Sequence, residues 1–133
     1  MQGHIPYEIE RLSSTLQFLD LGGNLLTGSV PEQISSLTSL RMLSLYGNQL
    51  SSTLPKSIFN LLQLKALYLD GNYLSGIIPT SIGILNNSLM DLRLRDNLFT
   101  GQIPDEVTNL GEYTAILSNI EQYLTQSSPQ LYP

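Results

Sequence analysis

Apolar residues recur along the chain at fixed intervals, and each set includes one asparagine between apolar neighbours. These asparagines follow one another at steps of 24, 24 and 25 residues: Asn24, Asn48, Asn72 and Asn97. Counted from the leucine eight residues before each asparagine, positions 1, 4, 6, 11, 15, 19 and 22 are apolar in all four repeats. So regular an interval indicates a coil of stacked repeats rather than a set of unlike elements.

Each repeat is predicted to contain one short strand, because apolar positions 4 and 6 have the two-residue spacing of a strand with one buried face. Successive strands would stack in parallel about 4.8 Å apart. The stretch around "SGIIP" (75–79) is compatible with an extended chain as well. Apolar positions 15, 19 and 22 predict short 3₁₀ or irregular turns on the convex side. No repeat could fold alone, so stability must lie in the contacts between neighbours.

The repeat pattern divides the chain into a solenoid over 1–112, a capping helix over 113–126 and a flexible tail over 127–133. The helix is predicted because "GEYTAILSNIEQYLTQ" places apolar residues along one helical face, and a degenerate further strand is the alternative. The N-terminal end has no such cap, so we expect a fragment of a longer protein, a short paralogue or a gene model without its start. Within the solenoid, a partial repeat precedes four full ones: 1–15, 16–39, 40–63, 64–88 and 89–112.

The four asparagines are expected to be structural. Burying a primary amide without partners costs about 1–3 kcal/mol. Where each strand ends, the chain turns inward and leaves backbone N–H and C=O groups without strand partners. An amide side chain both donates and accepts, so stacked asparagines can satisfy these groups. We therefore predict an asparagine ladder formed by Asn24, Asn48, Asn72 and Asn97.

The pattern LxxLxLxxNxL followed by (S/T)GxIPxxIxxL resembles the leucine-rich repeat. The segments "LTGSVP", "LSSTLP", "LSGIIP" and "FTGQIP" are similar to its plant-type class of 24 residues, and the resemblance covers residues 3–112. Ser52 and Asp96 depart from it, since each stands where the other repeats have glycine. The resemblance implies an α/β solenoid: a right-handed coil with a parallel β-sheet on its concave face and short 3₁₀ or irregular turns on its convex face.

Within that family the chain resembles the ectodomains of leucine-rich repeat receptor-like kinases, receptor-like proteins and polygalacturonase inhibitors. This resemblance implies a non-catalytic module that binds a protein or peptide through its concave face. A structural spacer and a glycan-binding, inhibitor-like protein are the alternatives. Binding to a lattice such as ice is disfavoured, because the outward columns of the strands mix residue types. The resemblance also implies an extracellular or cell-surface setting, although "MQGHIPYEIE" does not have the features of a signal peptide.

Composition excludes several other functions. The net charge is −5, which argues against nucleic acid as a partner. There is no cysteine, and no apolar run is long enough to span a membrane. His4 is the single histidine, and no phosphate-loop or zinc-protease motif is present, so we expect no enzyme activity, no metal site and no cofactor.

The outward positions of the strands give the candidate ligand-binding surface. Aromatic and apolar residues occur there although the fold does not require them, and four of the six basic residues share these positions. Aspartates balance the basic residues, and cross-strand ion pairs such as Arg93 with Asp70 are the structural alternative. The candidates are Phe18, Asp20, Arg41, Met42, Tyr46, Lys65, Tyr68, Asp70, Arg93 and Arg95.

The stretch Asn86-Asn87-Ser88 is the one N-glycosylation sequon in the chain. It includes the extra residue of the third repeat, where an insertion is tolerated, as expected of a surface loop. We expect Asn86 to be open to glycosylation if the protein is secreted. The alternative is an ordinary polar loop.

Overall fold

The computed structural model describes residues 1–12 and 14–110. The chain winds as a solenoid, and each full repeat contributes a strand to the concave sheet, a strand on the adjoining flank and a 3₁₀ turn on the convex side, whereas the partial repeat contributes only the last two. The capping helix predicted over 113–126 and the tail over 127–133 lie outside the described residues.

The concave sheet consists of one strand from each full repeat, all parallel. Because the repeats stack in register, Leu19, Leu43, Leu67 and Leu92 stand opposite one another and point inward. The side chains on either side of these leucines point outward. The strands, in their order in the sheet, are β2 (Phe18–Asp20), β4 (Met42–Ser44), β6 (Ala66–Tyr68) and β8 (Asp91–Arg93).

A second set of parallel strands confirms that the proline-containing half of the repeat is extended. These strands form two sheets, β1-β3-β5 and β7-β9, which an isolated bridge between Thr53 and Ser75 connects. We call this side of the coil the flank sheet. Its strands are β1 (Gln2–His4), β3 (Leu25–Gly28), β5 (Gln49–Leu50), β7 (Ser75–Ile77) and β9 (Leu98–Thr100).

A proline precedes each 3₁₀ turn on the convex side. Its φ lies between −63° and −74°, and its carbonyl accepts a hydrogen bond from the backbone N–H three residues later, as between Ile34 and Pro31. Proline has this φ built in and needs no donor at this place, so it starts the turn without cost. The turns are η1 (Tyr7–Arg11), η2 (Glu32–Ser36), η3 (Lys56–Asn60), η4 (Thr80–Leu85) and η5 (Asp105–Asn109).

The repeating apolar positions form one continuous core. Of the 28 positions, all but four are buried. Three of the exceptions, Leu16, Leu19 and Leu21, belong to the strand region of the first full repeat; the fourth is Ile103. The first three are only partly covered because β2 has no neighbour on one side within the described residues. Phe59, which the repeat pattern does not select, is also buried.

The asparagines connect neighbouring coils as the sequence predicts. The Asn48 side chain accepts a hydrogen bond from the Leu26 backbone N–H at 3.0 Å. Its amide group donates to the carbonyls of Leu21 in the preceding coil, at 3.0 Å, and of Leu45 in its own, at 3.1 Å. Asn72 and Asn97 repeat both kinds of contact one and two coils further on. Each asparagine therefore satisfies backbone groups that no strand pairing reaches.

Candidate functional site: the concave face

The ten candidate residues lie on or beside the four strands of the concave sheet. Phe18 is 62% exposed and Tyr46 is 45% exposed, whereas Met42, Tyr68 and Asp70 are only half-exposed. The remaining candidates are exposed: Asp20, Arg41, Lys65, Arg93 and Arg95. The leucines beneath them are buried from β4 to β8, so most of these side chains stand on a rigid support.

Tyr68, Asp91 and Arg93 form a cluster at the C-terminal end of this face. The guanidinium carbon of Arg93 lies 4.3 Å from the centroid of the Tyr68 ring, within the range of a cation–π contact. Arg93 Nη2 also lies 3.2 Å from Asp91 Oδ2. The structural alternative named from the sequence was a cross-strand pair of Arg93 with Asp70, and the ion pair that forms is instead with Asp91 on the same strand. Asp91 is two residues from Arg93 on the same face of β8, so it reaches the guanidinium more directly than a residue on the next strand does.

Burial raises the pKa of Tyr68, and the neighbouring Asp91 carboxylate acts in the same direction. Both effects favour the neutral phenol, which keeps a hydroxyl that can donate a hydrogen bond. The Tyr68 hydroxyl, the Arg93 guanidinium and the Asp70 carboxylate therefore offer a ligand both donors and acceptors within two neighbouring strands.

A second cluster, Asp20, Gly22, Ser44 and Tyr46, lies at the N-terminal end of the face. The Tyr46 ring covers Gly22 so closely that a Cβ atom at that position would overlap with it. Asp20 Oδ1 accepts a hydrogen bond from the Gly22 backbone N–H at 2.9 Å. The hydrogen bond of the Ser44 hydroxyl, and then that of Gly22, hold the pKa of Asp20 below its ordinary value. These hydrogen bonds favour the ionised form of Asp20 and hold its carboxylate in place. The side of the Tyr46 ring that faces away from Gly22 is exposed to solvent.

Sequence reasoning missed three residues of these clusters. Asp91 is not among the ten candidates, although its spacing of two from Arg93 is visible in the sequence. Ser44 is 2% exposed because its neighbours cover it, which the pattern of strand positions does not reveal. Gly22 is not among the candidates either. Its role depends on Tyr46 in the next coil, 24 residues later, and local sequence does not show that contact.

Further observations concern groups outside the clusters of the concave face. His4 lies in β1 on the flank sheet, beside Gly28, and so outside the concave face. Among residues 1–12 and 14–110, no group of three or more histidine, aspartate or glutamate side chains is placed to hold a metal ion. A search of the same residues finds no helix with the length and apolar character needed to cross a membrane.

Sequence comparison identifies the class of the protein. A family profile described as "Leucine Rich repeats (2 copies)" matches residues 14–56, and the profile "Leucine Rich Repeat" matches 63–85 and 88–110. The chain therefore belongs to the leucine-rich repeat family. No curated protein matches it.

Solved structures of plant leucine-rich repeat proteins have the same fold. The Arabidopsis receptor kinase HAESA, in complex with the peptide hormone IDA and the co-receptor SERK1, is 39% identical with a TM-score of 0.79, over 84% of this chain and 19% of that one. The BIR3–SERK2 complex from Arabidopsis thaliana is 41% identical with a TM-score of 0.77, over 84% of this chain and 58% of that one.

A plant ice-binding protein is also similar, at 38% identity and a TM-score of 0.75, over 80% of this chain and 34% of that one. The chain spans about a fifth of HAESA, about a third of the ice-binding protein and about three fifths of the chain matched in the BIR3–SERK2 complex. The activity of each whole protein is therefore not assigned to this chain.

Proposed function

We propose that this chain is a non-catalytic recognition module that binds a protein or peptide segment through its concave face. The observation that carries the proposal is the group Phe18, Met42, Tyr46 and Tyr68, which lies on the solvent side of a sheet whose other side is the core. The family resemblance supports it, because HAESA was solved with a peptide hormone and a co-receptor bound. The likeness to a receptor kinase also supports an extracellular or cell-surface location.

The face has two ends of different chemistry. Phe18, Met42 and Tyr46 make the N-terminal end largely apolar and aromatic, whereas the C-terminal end is polar and carries both signs of charge, with Lys65, Arg93 and Arg95 beside Asp70, Asp91 and Asp96. Aromatic residues and arginine are the residue types most enriched in the hot spots of protein interfaces. We infer a ligand that places an apolar side chain on the first end and a polar, hydrogen-bonding group on the second.

A regular, lattice-like ligand has less support from the geometry. In the flank sheet, the pairing places Thr53 opposite Ser75 and Ser75 opposite Leu98, so a paired row mixes hydroxyl and apolar residues. In the concave sheet, the paired row Asp20, Ser44, Tyr68 and Arg93 is mixed as well. Ice binding by analogy with the plant ice-binding protein is therefore not proposed.

The test is a double substitution on the concave face, Tyr68→Ala with Arg93→Glu. Wild-type protein is used to capture partners from a cell-wall and apoplastic extract, and each captured partner is then measured by titration. We expect the double variant to bind at least about tenfold more weakly, which corresponds to about 1.4 kcal/mol.

The matched control changes the same kinds of residue away from this face. Tyr73 and Lys56 are both exposed, Tyr73 just before β7 and Lys56 at the start of η3. Tyr73→Ala with Lys56→Glu should leave affinity within about twofold, because ordinary surface substitutions change free energies by up to about 0.5 kcal/mol. If the concave variant keeps its partners while the control loses them, the proposal is wrong.

A further inference from the structure

We propose that Asn86 carries an N-linked oligosaccharide on the flank of the coil opposite the flank sheet. This inference rests on the extracellular location proposed above. Asn86-Asn87-Ser88 meets the requirement for asparagine, any residue except proline, then serine or threonine. The structure adds what the motif alone does not show, namely how the amide is presented and what surrounds it.

The backbone presents Asn86 at the end of a 3₁₀ turn. Asn86 follows η4 with φ −58° and ψ −26°, and its N–H donates to the Gly83 carbonyl at 3.1 Å. The Ser88 N–H donates to the Leu85 carbonyl at 3.0 Å. Both hydrogen bonds lie within the turn. The turn could therefore change conformation when it binds the glycosylating enzyme, and no strand pairing would break.

The side-chain amide of Asn86 is available, unlike those of the ladder asparagines. Asn86 and Asn87 are both exposed. The amide of Asn86 makes no hydrogen bond to another described residue, whereas the Asn48 amide is buried and bonds to four backbone groups. Because the ladder amides hold the coils together, they could not be modified without unfolding, and none of them is in a sequon.

The surroundings of Asn86 contain exposed apolar side chains that a glycan would shield. Ile84 is 51% exposed two residues before it, and Met90 is 46% exposed at the beginning of the next repeat. Leu62, 63% exposed, occupies in the preceding repeat the position that Asn86 has in its own. A hydrophilic oligosaccharide here would cover apolar surface that otherwise favours association between molecules.

The position also decides from which side a ligand can reach the concave face. Asn86 lies in the return turn, from which the chain passes directly to Met90 and β8. A glycan at this turn borders the edge of the face that carries Lys65. The opposite edge, which carries Tyr46 and Arg95 and continues into the flank sheet, stays open. A ligand is therefore expected to reach the concave face across the edge that carries Tyr46 and Arg95.

The chemistry is a group transfer whose donor is a lipid-diphosphate-linked oligosaccharide. The bond between the anomeric carbon of the sugar and the phosphate oxygen breaks, and a bond from that carbon to Asn86 Nδ2 forms. The amide nitrogen loses one proton, and the lipid diphosphate leaves. No oxidant or reductant is involved, and the transferase of the secretory pathway supplies the catalysis.

The experiment expresses the full chain behind a secretion signal in a mammalian cell line and measures the intact mass of the secreted protein. We expect a mass increment in wild type that peptide-N-glycosidase F removes, converting Asn86 to aspartate. The increment should be absent in Asn86→Gln and in Ser88→Ala. It should persist in Asn87→Gln, the matched control, and in Ser88→Thr, which keeps the sequon.

Two results would overturn the assignment. One is wild-type protein that is secreted and folded, by circular dichroism, but carries no removable sugar. The other is an increment that persists in both Asn86→Gln and Ser88→Ala. Neither result bears on the concave-face proposal, because the binding test of Tyr68 and Arg93 is read out independently of the sugar.

Discussion

At the scale of single residues, the amide of Asn48 shows why one polar side chain is required in each coil. It accepts from one buried N–H and donates to three carbonyls, two of them in its own coil and one in the coil before. A hydroxyl is too short to bridge these groups, and a carboxylate has no donor. The amide is thus determined by the backbone of two adjacent coils rather than by a ligand.

Replacing Asn48 by leucine should lower the free energy of unfolding by at least about 2 kcal/mol. The Leu26 N–H would stay buried without its partner, which costs about 1–3 kcal/mol, and the carbonyls of Leu21 and Leu45 would each lose one of two amide donors. Urea titration followed by circular dichroism measures the change. The matched control is Asn87→Leu in the exposed turn, for which we expect a change within about 0.5 kcal/mol. An unchanged midpoint for Asn48→Leu, with an unchanged slope, would count against the ladder.

At the scale of elements, glycines in the flank sheet allow side chains of the preceding coil to lie across the backbone. A Cβ atom at Gly76 would be 2.8 Å from the Thr53 methyl group, and one at Gly101 would be 3.0 Å from a methyl group of Ile77. These glycines have φ near +80°. Ser52 occupies the equivalent place with φ 66°, and the residue that corresponds to Thr53 one coil earlier is the small Ser29. Ser52 therefore has room for its side chain but keeps a backbone conformation that favours glycine.

Ser52→Gly should stabilise the protein by about 0.5–1 kcal/mol. A left-handed conformation costs an L-residue about 1–2 kcal/mol, and the greater freedom of glycine in the unfolded chain offsets part of the gain. Thermal or urea unfolding measures the difference. Ser51→Gly is the control, because Ser51 has a negative φ, and there we expect a loss of about 0.5–1 kcal/mol. Equal losses at both positions would show that Ser52 is not strained.

The sequence was sufficient for the elements because their causes are local or strictly periodic. Leucine spacing predicted the concave strands, apolar positions 15, 19 and 22 predicted the convex turns, and the departures at Ser52 and Asp96 fall where non-glycine residues have positive φ. Contacts between side chains of different coils could not be predicted in this way. The Tyr46 ring covers Gly22 and the Arg93 guanidinium lies over the Tyr68 ring, because rotamers and coil-to-coil packing decide these contacts.

At the scale of the whole molecule, stability and recognition use different sides of the same strands. Inward leucines and the asparagine ladder fix the coil, and the outward positions are left to vary without disturbing it. The aromatic residues Phe18, Tyr46 and Tyr68 therefore stand on a support that binding need not reorganise. Such preorganisation lowers the entropic cost of binding a ligand.

Hydroxyl-radical footprinting of the chain with a captured partner tests the central claim most directly, because it reports the exposure of individual side chains. The account predicts that Phe18, Met42 and Tyr46 become protected from oxidation in the complex. Tyr73 and Leu98, exposed on the flank-sheet side, should react as in the free protein. Protection of Tyr73 and Leu98 with unchanged reactivity of Phe18, Met42 and Tyr46 would contradict the account.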